Sequence, residues 1–160
     1  KAQLKFFRPD LDVVEFRGNV QTRLKKLEDG VATCTFLAMA GLNRLGLENV
    51  AQSAIEPDEM LPAIAQGAIG IEWREEDKQI TDILQKIHHT ETEQRLNVER
   101  AFLAELDGSC QTPIAGLAVI EGSSLKFTGQ VLRTDGSESI SETAHCNIFN
   151  ITVCGFGSGL

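Results

Sequence analysis

Asp12-Val13-Val14-Glu15-Phe16-Arg17-Gly18-Asn19-Val20-Gln21-Thr22-Arg23-Leu24 is the stretch on which the fold class turns. Its first five residues read as a short strand that ends at Arg17-Gly18-Asn19. Val20, Leu24 and Leu27 then recur at helical spacing, with Asn19 as the N-cap, and Asp29-Gly30 closes that helix. Val31 to Ala40 is mostly apolar between two glycines and predicts a buried strand, and Gly41 to Leu47 gives a short helical turn. Strand, helix, strand, helix in this order predicts a parallel α/β layer over residues 1–60.

Downstream the character changes. Ile55 to Pro62 carries two prolines and several acids and reads as a crossover. Ala63 to Ile71 is rich in Ala and Gly, which suits close packing against another element. A helix over about 77–87 would place Ile80, Ile83, Leu84 and Ile87 on one face, and a second over about 91–106 has Leu96, Phe102, Leu103 and Leu106 as its apolar side. Gly108 to Pro113 is a loop. Beyond it, 116–120 and 125–132 read as strands joined by Glu121 to Ser124, and Asp135-Gly136 turns the chain toward Ser139-Ile140-Ser141. This half is therefore expected to be a small α+β domain with a three-stranded antiparallel sheet.

Charge narrows the function. The net charge of −8 argues against a general nucleic-acid binder, which needs a basic face for phosphate contacts. Arg17, Arg23, Lys25 and Lys26 nevertheless cluster within ten residues, and an acidic protein with one basic pocket suits a small polyanion. No apolar stretch approaches the ~20 residues of a membrane span. The opening, Lys1 to Asp10, has neither a starting Met nor a signal pattern and reads as the interior of a longer protein. Cys34, Cys110, Cys146 and Cys154 show no Cys-x-x-Cys spacing, so neither a disulfide framework nor a zinc site is expected, and a reducing compartment is.

Three arginines, Arg17, Arg23 and Arg44, fall at the ends of neighbouring strand–helix units, where they can converge on carboxylates outside the sheet edge. As isolated residues they would equally serve to solubilise the domain. Cys110 lies on a Gly-containing loop after a helix, where a thiol is reachable, although a lone Cys after Gly is often structural. His88 and His89 are adjacent, point about 100° apart on a helix, and are read as helix-terminus residues rather than metal ligands. Glu99-Arg100 is read as a structural ion pair or packing feature rather than catalytic, and Trp73 as packing.

Together these segments resemble the porphobilinogen deaminase (hydroxymethylbilane synthase) family. The resemblance is carried by Arg8-Pro9-Asp10-Leu11, Arg17-Gly18-Asn19-Val20 through Leu24, and Ala40-Gly41-Leu42-Asn43-Arg44-Leu45-Gly46. It continues through Leu61 to Ala68, Glu99-Arg100-Ala101-Phe102-Leu103, and Gly108-Ser109-Cys110-Gln111-Thr112-Pro113-Ile114. It implies an α/β second domain of the periplasmic-binding-protein type over residues 1–60, a crossover belonging to the first domain over 61–87, and the C-terminal α+β domain over 88–160, with an atypical end after about 143. It also implies a transferase of tetrapyrrole (heme and chlorophyll) biosynthesis that joins four porphobilinogen units head to tail and releases ammonia.

The same resemblance makes Cys110 the thioether anchor of a dipyrromethane cofactor. Arg17, Arg23 and Arg44 become the groups that hold the acid arms of cofactor and substrate, and Gln66 and Gly67 a segment that approaches the cofactor. The family's catalytic aspartate is expected upstream of Lys1, so no catalytic residue is expected within 1–160, and the chain alone is expected to be inactive. Implied partners are porphobilinogen and its oligomers, with no nucleic acid and no membrane, acting on a monomer in the plastid stroma or cytoplasm. The rival expectation is a non-catalytic α/β anion-binding module with an unmodified Cys110.

Overall fold

The computed structural model describes residues 1–108 and 112–148. Helix α1 (Ala2–Phe7) opens the chain and is followed by α2 (Val20–Glu28) and α3 (Met39–Arg44). After a short 3-10 turn at Glu48–Val50 come α4 (Lys78–Leu84) and the long α5 (Thr90–Glu105). Strands β1 (Ile114–Glu121), β2 (Ser124–Leu132) and β3 (Ser139–Asn147) complete the described elements.

The sheet has the order β1-β2-β3 and is antiparallel throughout, with Ala118 opposite Phe127 and Thr128 opposite Thr143. The β1–β2 turn is the two-residue Gly122-Ser123, and Gly122 takes the positive φ of 63° that such a turn requires. At the next corner Gly136 has φ 78°, and the Asp135 side chain holds Ser137. Both turns were legible as Gly-containing polar breaks between apolar runs. Strand β3 continues through Asn147, well past the Ser139-Ile140-Ser141 from which it was read.

Helix α5 lies against one face of the sheet. The core is Ala118, Leu125 and Phe127, with Ile64, Val98, Phe102 and Ile120 packed on it. Phe102 meets Phe127 edge to face at 5.1 Å, an arrangement that the aromatic quadrupole favours. Gly129 makes room for that contact: a Cβ there would sit 2.7 Å from the Phe102 ring.

The strands expected at Asp12–Phe16 and Val31–Ala40 do not form. The first run is irregular chain, and the second is irregular until α3 begins at Met39. Neither has a ladder partner among the described residues. A strand, unlike a helix, closes none of its own hydrogen bonds, so an apolar run becomes one only beside a neighbour. Val14, Val31 and Phe36 stay about half exposed as a result. The expected helices do form: Asn19 caps α2 and Asp77 caps α4. Helix α4 stops at Leu84, short of the expected 87, so its apolar side holds Ile80 and Ile83, both exposed, and Ile87 falls in the turn beyond it. Trp73 is also half exposed rather than packed, and its Nε1 donates to the Thr81 hydroxyl at 3.0 Å.

Candidate functional site

The basic segment folds around its own glycine. Gly18 has φ 133°, and a Cβ there would lie 2.8 Å from Thr22 Cβ, so both conformation and space require glycine. The Asn19 side chain accepts from the Thr22 N–H and hydroxyl, each at 2.8 Å. Val20 and Gln21 keep N–H groups without intrahelical acceptors at the positive end of α2. Arg23, one turn on, donates from Nε to the Gly18 carbonyl at 3.0 Å and from Nη1 to the Phe36 carbonyl at 3.4 Å. Lys26 reaches back to the Arg17 carbonyl at 2.8 Å, over the Phe16 ring.

Arg17 behaves differently. Its side chain is 87% exposed, and among the described residues Glu15 alone engages it, at 2.9 Å. Arg44 is the last residue of α3, exposed, with no hydrogen bond or ion pair among the described residues. The structure thus joins Arg17 and Arg23 through the Gly18 corner and does not link Arg44 to them. An open cleft of about 1240 Å³ runs between α1, the 13–17 and 33–37 runs and the start of β1. Arg17 lines it; Arg23, Arg44, Gln66 and Gly67 do not. The set is rich in donors, with guanidinium groups and helix-end N–H groups that match carboxylates, so it fits a ligand bearing acid arms.

A second cluster forms where the crossover meets the sheet. The Gly116 N–H donates to the Pro62 carbonyl at 3.0 Å, Ala63 bridges Ala115, and Ile64 packs over Gly116. Ala65 is held at φ 59°, unusual for a residue with a Cβ, and its N–H donates to Glu99 Oε2 at 2.8 Å. The other oxygen of that carboxylate accepts from the Ala118 N–H at 3.0 Å, while Arg95 Nε donates to the Ala118 carbonyl at 2.7 Å. Gln66 and Gly67 follow directly, exposed, and Gly67 has a φ of 80° with open space where a side chain would stand.

Glu99 is 4% exposed and among the described residues forms no ion pair with Arg100; of the ion pair or packing feature read from the sequence, the second fits, as a carboxylate bound to two backbone amides. Its signal was present: it falls three residues after Leu96 and four before Leu103, a charge inside the apolar stripe of α5. Nothing in the sequence marked Gln3, whose Nε2 donates to the Leu61 carbonyl at 2.9 Å and ties α1 to the same segment.

Cys110 lies outside the described residues, but both ends of its loop are fixed. Gly108 closes α5 with its N–H on the Leu103 carbonyl at 2.9 Å, and a Cβ there would meet Leu103 and Ile114 at 2.6 Å. On the far side the Pro113 carbonyl accepts from the Leu132 N–H at 3.0 Å. His89 is the N-cap of α5, its Nδ1 accepting from the Thr92 N–H, and His88 contacts Glu93, as helix-terminus residues do. No group of metal-binding side chains occurs among the described residues. No helix among them is long and apolar enough to cross a membrane.

Two family models match the chain. Residues 1–82 match porphobilinogen deaminase, dipyromethane cofactor binding domain, and residues 94–154 match porphobilinogen deaminase, C-terminal domain. The porphobilinogen deaminase of Paracoccus denitrificans is 62% identical over 141 residues, which is 88% of this chain and 45% of that protein. The porphobilinogen deaminase of Nitrobacter hamburgensis is 49% identical over 143 residues, 89% of this chain and 45% of its own length. The chain therefore spans a little under half the length of the curated relatives it matches.

Proposed function

Because the chain belongs to the porphobilinogen deaminase family, we propose that the full-length protein containing it condenses four porphobilinogen units head to tail into hydroxymethylbilane, releasing ammonia. The observation that carries this reading is the match of residues 1–82 to a cofactor-binding domain, followed in the chain by the Gly108-Ser109-Cys110 segment within the matched C-terminal domain. Cys110 is the proposed thioether anchor of the dipyrromethane, which when bound supplies a tethered pyrrole end for chain extension. A tether keeps the growing product at high effective concentration between additions.

The chain's own residues bind and orient. Arg17, free of all but Glu15, is the proposed grip on acetate and propionate arms. Arg44, unengaged among the described residues, is a second. Arg23 shapes the corner with two backbone carbonyls and turns its remaining donors to the ligand. Each well-formed contact of this kind contributes ~1.5–3 kcal/mol. Gln66 and Gly67, on an open turn, are the proposed approach from the crossover side.

In the proposed architecture residues 1–60 form most of a periplasmic-binding-protein-like α/β domain, 61–87 cross to the first domain, and 88–160 form the third. The unpaired apolar runs at 12–16 and 31–40 support it, because they have the composition of strands and lack neighbours. A monomer free of nucleic acid and membrane, in the cytoplasm or plastid stroma, completes the reading.

Intact mass spectrometry of the full-length protein tests the assignment. The expected result is an increment of two pyrrole units that Cys110→Ala abolishes together with hydroxymethylbilane formation. An unmodified Cys110 with reversible dicarboxylate binding would instead leave a non-catalytic anion-binding module.

A further inference from the structure

We propose that Glu99 is a positioning residue, whose buried carboxylate locks the Ala65–Gly67 turn to the edge of β1 and so fixes that turn relative to the anchoring loop. The inference rests on the reading above that Gln66 and Gly67 face the pyrroles and that Cys110 holds them.

The geometry has three parts. Helix α5 runs into the Cys110 loop and β1 runs out of it, and Glu99 on α5 accepts the Ala118 N–H of β1 at 3.0 Å. The two arms of the loop are thereby cross-linked by a charge-assisted hydrogen bond. The second oxygen takes the Ala65 N–H at 2.8 Å, so the same carboxylate places the crossover turn on that frame. Ala65 at φ 59° would relax toward ordinary backbone without a strong acceptor to hold it, and Gln66 would move with it.

β1 is also an edge strand. Its outward groups at 116 and 118 are occupied by the Pro62 carbonyl, Glu99 and Arg95 rather than by another strand. A neutral polar side chain would satisfy a solvent-facing edge. A carboxyl group only 4% exposed costs more to place there, and its two oxygens are what lets one side chain accept from both amides at once.

The test uses the full-length holoenzyme. Glu99→Gln replaces one acceptor oxygen with an amide NH2 donor facing a backbone N–H. Glu99→Asp keeps the charge and shortens the reach, so one of the two amides is released. Turnover is measured per mole of covalently attached pyrrole cofactor, with kcat and KM resolved separately, alongside amide hydrogen exchange. We expect kcat per cofactor to fall roughly tenfold to a hundredfold in Glu99→Gln, the factor that one lost charge-assisted bond supports. Glu99→Asp should fall less, and exchange at Gln66 and Gly67 should quicken in both while α2 is unchanged. Should Glu99→Gln not accumulate as folded protein, Glu99→Asp carries the same comparison. A role confined to stability predicts wild-type kcat per cofactor in the folded enzyme, and that result overturns the proposal. A wild-type protein with no attached pyrrole would sink the functional reading itself, a separate outcome.

Discussion

The two halves of the chain bury their apolar residues very differently. In residues 112–148 an antiparallel sheet and the helix before it close a core in which Ala118, Leu125 and Phe127 are all but inaccessible. In residues 1–60 only Ala2 and Leu42 are buried among the hydrophobic residues, while Phe6, Phe7, Val14, Val31 and Phe36 stand open. Residues 1–60 are no poorer in apolar side chains than 112–148, so the contrast lies in connectivity. Hairpins and a preceding helix bring their partners along in sequence, whereas a parallel layer needs strands delivered from elsewhere. The proposed ligand grips Arg17, Arg23 and Arg44 lie in the incomplete half.

The sharpest way to break this comparison is to cut the same side chain from both halves. Phe127→Ala should cost about 3–5 kcal/mol, since it empties a site that Phe102, Ala118 and Gly116 enclose. Phe36→Ala, on a half-exposed ring, should stay within about 0.5 kcal/mol in the 160-residue chain. Urea unfolding midpoints of the two variants decide the matter. Equal losses would mean that residues 1–60 carry a core of their own. A larger Phe36→Ala loss in the full-length protein would sharpen the contrast by showing what covers that ring.

A smaller effect probes the incomplete half alone. With little tertiary packing to support it, α2 depends on local chemistry, and Asn19 supplies it through two bonds to Thr22. Asn19→Ala should cost about 1 kcal/mol locally, speeding amide exchange at Leu24 and Lys25 roughly fivefold. The same measurement along α5 should show no change.

How much could be read from the sequence follows the same division. Helix α5, both β-turns and the Asn19 cap were legible because periodicity and turn chemistry act within a few residues. Val31 to Ala40 misled because its apolar content specifies burial and says nothing of a partner. The stripe of Ile80, Ile83, Leu84 and Ile87 was right only as far as Leu84, where α4 ends, and periodicity does not supply the surface that would cover Ile80 and Ile83. Of the candidate site, the reach of Arg17 and the corner at Gly18 were readable, while Cys110 lies outside the described residues. The two-amide grip of Glu99 was not, because its partners at 65 and 118 are distant in sequence and are backbone groups, which have no letter of their own.

The smallest effect lies at the corner that closes the complete half. Asp135 has its carboxyl held below the ordinary aspartate range, chiefly by the Ser137 N–H at 2.9 Å and next by the Ser137 hydroxyl at 2.7 Å. A carboxylate with a depressed folded-state pKa stabilises the fold above its unfolded value, and that contribution is lost as pH falls through the folded value. Asp135→Asn keeps an acceptor oxygen for Ser137 but removes the titration. Thermal midpoints of the two proteins should therefore differ slightly and by a constant amount near neutrality, then converge as the pH is lowered through the acidic range below about 4. The group is solvent-facing, so added salt should shrink the difference. A gap that widens on acidification would mean that protonated Asp135, rather than its anion, is the form the β2–β3 corner prefers.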